Sequence, residues 1–337
     1  MADDVPGIPD TDALGRWITD EARVPGRLTG VRLIAGGRSN LTYLLDLGDS
    51  RLVLRRPPLG HVLPTAHDMA REYRMISALT GTDVPVPAPV AFCADSEVIG
   101  APFYLMAEVP GLVLRTAEDA RAALTPAAAA ELSGQLVRTL AAIHAADASS
   151  IGTARPGYLR RQLDRWQRQW ELSATRPVAG YPELVARLEA GLPPDGDVTL
   201  VHGDFRLDNT IVTLAPPRIA AVVDWEMATL GDPLADLGLT LTYWSLNDDL
   251  VPLGQPTAAA GFVSGAEFAA AYSELTGRDV SRMGYYIAFG CFKLAVVLEG
   301  INARYLKNLT VGEGFEREGA AVPVLIARAH AALDGKS

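Results

Sequence analysis

Residues 201–209 read Val-His-Gly-Asp-Phe-Arg-Leu-Asp-Asn, a polar segment that follows a short apolar run. Residues 222–226 read Val-Val-Asp-Trp-Glu, and their aspartate likewise follows apolar residues. Short apolar runs bounded by polar loops are typical of β-strands. We therefore expect Asp204, Asn209 and Asp224 to lie at the ends of neighbouring strands, where their side chains can converge on one point.

Two carboxylates and an amide carbonyl make a set of hard oxygen ligands. Mg²⁺ prefers such ligands and takes the remaining ones from water and substrate phosphates. The spacing of five residues from Asp204 to Asn209 also matches the aspartate-to-asparagine spacing of the protein-kinase catalytic loop. The two segments predict a magnesium-dependent phosphoryl-transfer site, although aspartate and asparagine also stabilise turns in many proteins.

The rest of the chain divides into a strand-rich and a helical part. Three apolar runs separated by turn residues predict antiparallel strands, at residues 31–35, 41–47 and 51–55. Beyond position 110, apolar residues recur mainly at helical spacing. We expect an α+β chain with a nucleotide-binding domain at 1–109, a larger helical domain at 110–337, and a ligand-binding cleft between them.

Composition narrows the function classes. The chain has 337 residues, 30 Lys and Arg against 40 Asp and Glu, and a formal net charge of −10. An acidic chain repels phosphodiester backbones, so we expect no nucleic-acid partner. The most apolar stretch, 284–298, is expected to be too short to span a membrane. The start, Met-Ala-Asp-Asp, lacks a signal-peptide pattern, which favours a cytoplasmic location.

Both motifs resemble the aminoglycoside phosphotransferase and choline kinase-like family, relatives of the protein kinases. In that family a His-Gly-Asp motif followed by Asn precedes a metal-binding Asp. The likeness runs from Leu33 to about Tyr305. It implies a protein-kinase-like two-lobed fold, with a small antiparallel-sheet N-lobe and a larger helical C-lobe, and an ATP-dependent transfer of phosphate to an alcohol group.

The resemblance also implies residue roles. Asp204 resembles the catalytic aspartate that orients the acceptor hydroxyl and takes its proton. Asn209 and Asp224 resemble the ligands of the Mg²⁺ that bridges the ATP phosphates. A phosphate-covering loop is implied at Gly36 and Gly37, with Ser39 and Asn40 as further donors, although a Gly-Gly pair between strands is also a common hairpin turn.

Three further features complete the implied ATP site. Arg55 takes the place of the kinase lysine, a departure that keeps the positive charge but changes its reach. Glu72 resembles the helix glutamate that pairs with this cation, with a surface ion pair as its alternative. Met106 is implied at the back of the adenine pocket, and the backbone groups of Ala107 and Val109 would bond the base.

The acceptor is implied by a second resemblance. Residues 155–170 carry five arginines against one aspartate, which favours an anionic acceptor or, alternatively, a solvated basic face. Residues 158–170 and 292–304 look like the phosphotransferase domains fused to acyl-CoA dehydrogenases and their stand-alone bacterial relatives. That group is associated with hydroxyacyl-CoA substrates. The implied anion contacts are Arg161, Arg165, Lys293 and Arg304.

Other functions stay open from the sequence. The acceptor can instead be an aminoglycoside, choline, or another amino alcohol or sugar. A nucleotide-binding pseudo-kinase scaffold is a third reading: Arg55 favours it, whereas the intact Asp204, Asn209 and Asp224 argue against it. The sequence leaves the choice between ATP and GTP and the oligomeric state open.

Overall fold

The computed structural model describes residues 5–35, 40–59, 68–149, 151–244, 255–307 and 317–336. The chain divides into two compact units, Met1–Pro110 and Gly111–Ser337. The first unit is built on one five-stranded antiparallel sheet, in the strand order β1-β2-β3-β5-β4. Its elements are α1 (Thr11–Asp20), β1 (Gly30–Ala35), β2 (Leu41–Asp46), β3 (Arg51–Arg56), α2 (Met69–Leu79), β4 (Pro89–Cys93) and β5 (Phe103–Ala107).

One face of this sheet is covered by helix α1. The Trp17 ring of α1 packs edge-on against Phe103 of β5, with ring centroids 4.8 Å apart. Leu54 of β3 lies in the same apolar cluster. Because side chains alternate along a strand, Arg55 faces the other side of the sheet. There Glu72, in the first turn of α2, meets it. The apolar cluster and the Arg55–Glu72 ion pair therefore lie on opposite faces of the sheet.

The second unit is mainly helical and carries two small two-stranded sheets, β6-β9 and β7-β8. Both sheets are antiparallel. Its elements are α3 (Ala117–Ala123), α4 (Pro126–Ala145), α5 (Tyr158–Ser173), α6 (Tyr181–Ala190), β6 (Thr199–Val201), β7 (Thr210–Leu214), β8 (Pro217–Val222), β9 (Thr229–Gly231), α7 (Pro233–Trp244), α8 (Gly265–Thr276), α9 (Met283–Leu306) and α10 (Glu318–Leu333).

Helix α9 is the apolar centre of this unit. By length and composition its 24 residues are enough to cross a membrane, yet 72% of its most apolar window is buried within the structure. It packs against α5, α7 and α10. The expectation that the apolar segment is too short to span was wrong, because the helix continues to Leu306. Such burial is typical of a core helix.

Two glycines allow α7 and α9 to approach closely. A Cβ atom on Gly238 would lie 2.5 Å from the backbone of Tyr286, and one on Gly290 would lie 2.5 Å from Thr242 Oγ1. These distances are too short for any larger residue. The close crossing matters for the site, because Lys293 follows Gly290 by about one helical turn.

Candidate active site

The two small sheets bring the sequence motifs together. Residues 201–209 run from the end of β6 through a loop and a 3₁₀ turn into β7. The second motif leaves the end of β8. Thr210 of β7 pairs with Val222 of β8, and the next residue, Val223, donates its N–H to the Asn209 carbonyl over 2.9 Å. Asn209 directly precedes β7 and Asp224 lies two residues after β8, so the two residues lie at adjacent strand ends.

Asn209 also holds Asp204, the predicted catalytic aspartate. Its Nδ2 donates to the Asp204 carbonyl over 2.8 Å and to Asp204 Oδ2 over 2.9 Å. Asn209 is buried, whereas the Asp204 side chain keeps 26% exposure. The amide nitrogen makes both bonds, so Oδ1 on the other side of the amide is the Asn209 atom suited to bind a cation.

His202 joins the two motifs through its two ring nitrogens. Nε2 lies 3.1 Å from the carbonyl oxygen of Val223, directly before Asp224. Nδ1 accepts from the Asp204 N–H over 3.3 Å. A neutral ring protonated on Nε2 satisfies both contacts. The ring is fully buried. His202 therefore fixes the loop positions of Asp204 and Asp224 relative to each other.

Asp236 supports the same loop from helix α7. It accepts from the His202 N–H over 2.7 Å and from the Gly203 N–H over 2.8 Å. The Asp236 side chain is fully buried. Burial acts to raise the pKa of Asp236, but its contacts with His144 outweigh this effect and hold the pKa below its usual value. The buried Asp236 carboxylate thus holds the loop at His202 and Gly203 by hydrogen bonds.

Two backbone positions in the site need special residues. Gly203 has φ of +80°, and a Cβ there would lie 2.7 Å from the Met227 carbonyl oxygen. Asp224 is one of two non-glycine residues with positive φ in the described ranges, at 66°. Aspartate tolerates the left-handed region better than most residues. Such strained conformations often occur at functional sites.

The donor set fits Mg²⁺. No group of three or more His, Cys, Asp or Glu suited to a metal occurs among the residues that the structure describes. Mg²⁺ does not require such a cage, since one or two protein carboxylates plus waters and substrate phosphates suffice. The Asn209 amide oxygen and the Asp224 carboxylate provide that smaller set. They would hold a Mg²⁺ that neutralises charge on a bound triphosphate.

Residues 30–283 match the model of the phosphotransferase enzyme family, which is well over half of the chain. The chain belongs to this family. Among relatives of this phosphotransferase, acyl-CoA dehydrogenase family member 11 of Gallus gallus is 36% identical over 294 residues, covering 84% of this chain and 38% of the relative. Family member 10 of Mus musculus is 34% identical, with 80% and 26% covered. The chain spans well under half the length of these curated relatives.

Solved structures show the same fold. A candidate aminoglycoside phosphotransferase from Ralstonia eutropha is 31% identical, with 97% of this chain and 98% of that chain covered and a TM-score of 0.82. The aminoglycoside phosphotransferase APH(4)-Ia, in a ternary complex with AMP-PNP and hygromycin B, is 16% identical with a TM-score of 0.63. The match covers 96% of this chain and 99% of the chain of APH(4)-Ia. The phosphotransferase therefore has the kinase-like α+β fold that the motifs predict.

The predicted ATP-site residues lie in the first unit. Arg55 Nε is 3.1 Å from Glu72 Oε1, and both side chains are buried. Asn40 is buried as well, and its Nδ2 donates to Glu72 Oε2 over 3.4 Å. Asn40 thus supports the ion pair, a contact that the sequence did not predict. Gly36, Gly37 and Ser39 lie outside the described residues.

Two of the predicted adenine contacts, Met106 and Ala107, end strand β5, and Val109 follows it. Met106 is buried, and Val109 is half-buried in the segment after the strand. The Ala107 N–H donates to the Ala88 carbonyl over 2.8 Å, so this donor is already used. Of the predicted backbone contacts at Ala107, the N–H is therefore not available to a base.

The four predicted anion contacts do not converge. Arg161 is exposed, and its guanidinium donates to the carbonyls of Pro156 and Arg155 just before α5. Arg165 is exposed and lies over the Trp166 ring, 5.2 Å from its centroid. Arg304 is exposed near the end of α9, about 16 Å along the helix axis from Lys293.

Lys293 is the member of that set that reaches the catalytic loop. Its Nζ donates to the Gly203 carbonyl over 2.8 Å, one residue before Asp204. Burial lowers the pKa of Lys293, while the negative charge of Asp204 opposes this effect. The side chain therefore lies close enough to the Asp204 carboxylate for their charges to interact.

Arg206 and Tyr243 are site residues that the sequence did not predict. Arg206 Nη2 lies 2.6 Å from Asp208 Oδ2, and its Nε lies 3.8 Å from Asp204 Oδ2. Burial acts to lower the pKa of Arg206, but Asp208 and Asp204 outweigh it and raise the pKa above the usual value. The guanidinium lies 4.7 Å from the Tyr243 ring. Burial, together with the negative charge of Asp204, raises the pKa of Tyr243, so the Tyr243 hydroxyl lies near this carboxylate. Together they orient the Asp204 carboxylate.

The buried His144 beneath the loop predicts a pH effect on stability. Its Nε2 lies 3.2 Å from Asp236 and its Nδ1 lies 2.6 Å from the Tyr272 hydroxyl. Burial lowers the pKa of His144, although the hydrogen bond to Asp236 opposes this. The folded state thus binds a proton less well than the unfolded state. The stabilisation is complete above about pH 6.5 and is lost as pH falls towards the lowered pKa.

We expect the melting temperature to decrease on acidification from about pH 7 to about pH 5, with a contribution of at most about 1.4 kcal/mol per pH unit from His144. His144→Gln keeps a donor and an acceptor but does not titrate. Its melting temperature should depend less steeply on pH in this window, even if it is lower at neutral pH. Equal pH slopes in both proteins, measured by calorimetry, would contradict this role for His144.

Proposed function

We propose that this protein is a small-molecule kinase that transfers the γ-phosphoryl group of ATP to a hydroxyl of a hydroxyacyl-CoA or a related hydroxy acid. The observation that carries the proposal is the joint geometry of Asp204, Asn209 and Asp224 on adjacent strand ends. It supplies a partly exposed carboxylate beside two oxygen ligands suited to Mg²⁺. Those are the groups that phosphoryl transfer to an alcohol requires.

In the proposed reaction the acceptor oxygen forms a bond to the γ-phosphorus, the bond from that phosphorus to the bridging oxygen breaks, and ADP leaves. Asp204 accepts a hydrogen bond from the acceptor hydroxyl and takes its proton late in the transfer. A carboxylate is a weak base, so its main contribution is positioning. Mg²⁺, when bound by Asn209 and Asp224, supplies charge neutralisation at the phosphates.

Two observations support an acyl-CoA acceptor. The relatives named above are acyl-CoA dehydrogenase family members, and the matched segment occupies part of a longer chain. A phosphotransferase segment in such a chain has access to acyl-CoA molecules. In addition, Lys293 places positive charge one residue before Asp204, whereas the charge of Arg206 is paired with Asp208. Positive charge favours an anionic acceptor over a polycationic aminoglycoside.

The test is a coupled ADP-release screen with Mg²⁺-ATP and four acceptor classes: hydroxyacyl-CoAs, free hydroxy acids, choline and aminoglycosides. We expect the highest kcat/KM with hydroxyacyl-CoAs, followed by free hydroxy acids. Each positive result is checked by mass spectrometry of the phosphorylated acceptor. ADP release with hydroxyacyl-CoAs no faster than without an acceptor, or faster with choline or an aminoglycoside, would overturn the acceptor assignment.

A further inference from the structure

A small pocket in the second unit lies between helices α5 and α9 and reaches the catalytic loop. We name it the Trp166–Lys293 pocket. Its lining includes Tyr158, Gln162, Trp166, Gly203, Gly290 and Lys293. Gly203 directly precedes Asp204, so a group bound in this pocket lies next to the proposed catalytic carboxylate. The pocket has room for one functional group rather than for a whole coenzyme.

Trp166 lines this pocket and carries a buried donor. Its side chain is 6% exposed, and its Nε1 has no hydrogen-bond partner among the residues that the structure describes. Trp225 in the same unit, by contrast, donates its Nε1 to the Val222 carbonyl over 3.0 Å. Buried indole N–H groups normally find an acceptor. An unpartnered donor in a pocket beside the site therefore indicates an acceptor atom supplied by a ligand.

Lys293 contributes a second donor to the same pocket. Its Nζ lies 5.7 Å from the centroid of the Trp166 ring and donates to Gly203 O. An ammonium group has three donors, and this contact uses one. Asp236 also lines the pocket, but its oxygens already accept from the loop N–H groups and face His144. The positive charge of Arg165 also acts on Lys293.

Donors are the more numerous polar groups of the pocket: Trp166 and Lys293 only donate, Tyr158 and Gln162 can both donate and accept, and the Asp236 carboxylate is already engaged. Such a site favours an oxygen that carries partial or full negative charge, and it disfavours an amine. Both the thioester carbonyl of an acyl-CoA and the carboxylate of a free hydroxy acid offer that oxygen. The same molecule must also present a hydroxyl to Asp204.

We propose that the Trp166–Lys293 pocket binds the acyl oxygen of the acceptor and thereby positions its hydroxyl beside Asp204; this rests on the function proposed above. Because Gly203 and Asp204 are consecutive, the hydroxyl must be only a few carbons from the acyl oxygen. An acceptor with its hydroxyl close to the thioester, such as 3-hydroxybutyryl-CoA, is therefore a better substrate than 16-hydroxyhexadecanoyl-CoA.

The test compares two pocket variants with one control in steady-state ADP release. Trp166→Phe keeps an aromatic ring and removes the N–H, and Lys293→Met keeps an apolar chain of similar length and removes the charge. Each is expected to raise KM for 3-hydroxybutyryl-CoA by roughly tenfold or more, with a smaller effect on kcat. Arg168→Met removes an exposed charge from α5 outside the pocket and should keep the wild-type KM.

The outcomes separate the two proposals. If the wild-type protein phosphorylates no hydroxyacyl-CoA or hydroxy acid, the proposed function and the pocket assignment both fail. If the wild type is active but Trp166→Phe and Lys293→Met both keep its KM, only the pocket assignment fails. The pocket assignment also fails if Trp166→Phe keeps the wild-type KM while Lys293→Met lowers kcat with every acceptor. In that case Lys293 only supports the loop that carries Asp204. If Lys293→Met does not fold, the KM of Trp166→Phe for 3-hydroxybutyryl-CoA alone tests the pocket assignment.

Discussion

Replacing Asp204 by Asn is expected to lower kcat for phosphoryl transfer by about 10²–10⁴-fold while leaving ATP binding unchanged. An amide has nearly the shape of the carboxylate but cannot take the acceptor proton. The change also puts an amide against Asn209 Nδ2, Arg206 and the Tyr243 hydroxyl, all of which face a carboxylate in the wild type. The acceptor hydroxyl then loses both its proton acceptor and its alignment.

The measurement is single-turnover ADP release together with ATP titration by calorimetry. Asp197→Asn is a matched control, because it removes the same charge from a 73% exposed side chain in the same unit. The control should keep the wild-type kcat. If Asp204→Asn transferred phosphate at a near-normal rate with an intact fold, the role assigned to Asp204 would be wrong.

Replacing Asp224 by Asn is expected to remove most of the magnesium-dependent binding of ATP and to lower kcat/KM by roughly 10²–10³-fold. The structure makes Asn the informative choice at this position. The backbone there is left-handed, with φ of 66°. Asparagine tolerates that conformation about as well as aspartate does, whereas alanine adds backbone strain. Asp224→Asn therefore isolates the loss of the metal-binding charge.

Thermal unfolding with and without Mg²⁺-ATP measures this effect, because a ligand that binds the folded state raises the melting temperature. The wild type should be stabilised by Mg²⁺-ATP, and Asp224→Asn should not be. Asp224→Ala should show the same loss and a lower melting temperature without ligand. Full stabilisation of Asp224→Asn by Mg²⁺-ATP would rule out Asp224 as a magnesium ligand.

The parts of the fold and site that could be predicted are those that local sequence determines. The strand runs before position 56 alternate with turn residues, so their pairing follows from spacing. The proximity of Asn209 and Asp224 could be predicted for the same reason, since each directly follows or precedes a short strand. The Arg55–Glu72 pair could be predicted from the kinase resemblance and is present as a buried contact.

The parts that could not be predicted depend on contacts between distant elements. Tyr243 reaches Asp204 from helix α7, and no spacing in the sequence predicts that contact. Arg206 is an exception, because it lies within the motif, two residues after Asp204. A cation at that spacing could have been predicted to pair with the aspartate. The arginine-rich segment and the second resemblance predicted Arg161 as an anion contact, but they could not show that its guanidinium binds the backbone before α5. The unpartnered Trp166 Nε1 is visible only once α5 and α9 are packed.

The central claim is tested most directly by incubating the protein with Mg²⁺, 3-hydroxybutyryl-CoA and ATP labelled with ¹⁸O on the γ-phosphoryl group, followed by mass spectrometry of the acceptor. The account predicts a phosphorylated hydroxyacyl-CoA that carries the label, in the wild type and not in Asp204→Asn. Label found only in inorganic phosphate, or equal amounts of labelled product in both proteins, would contradict it.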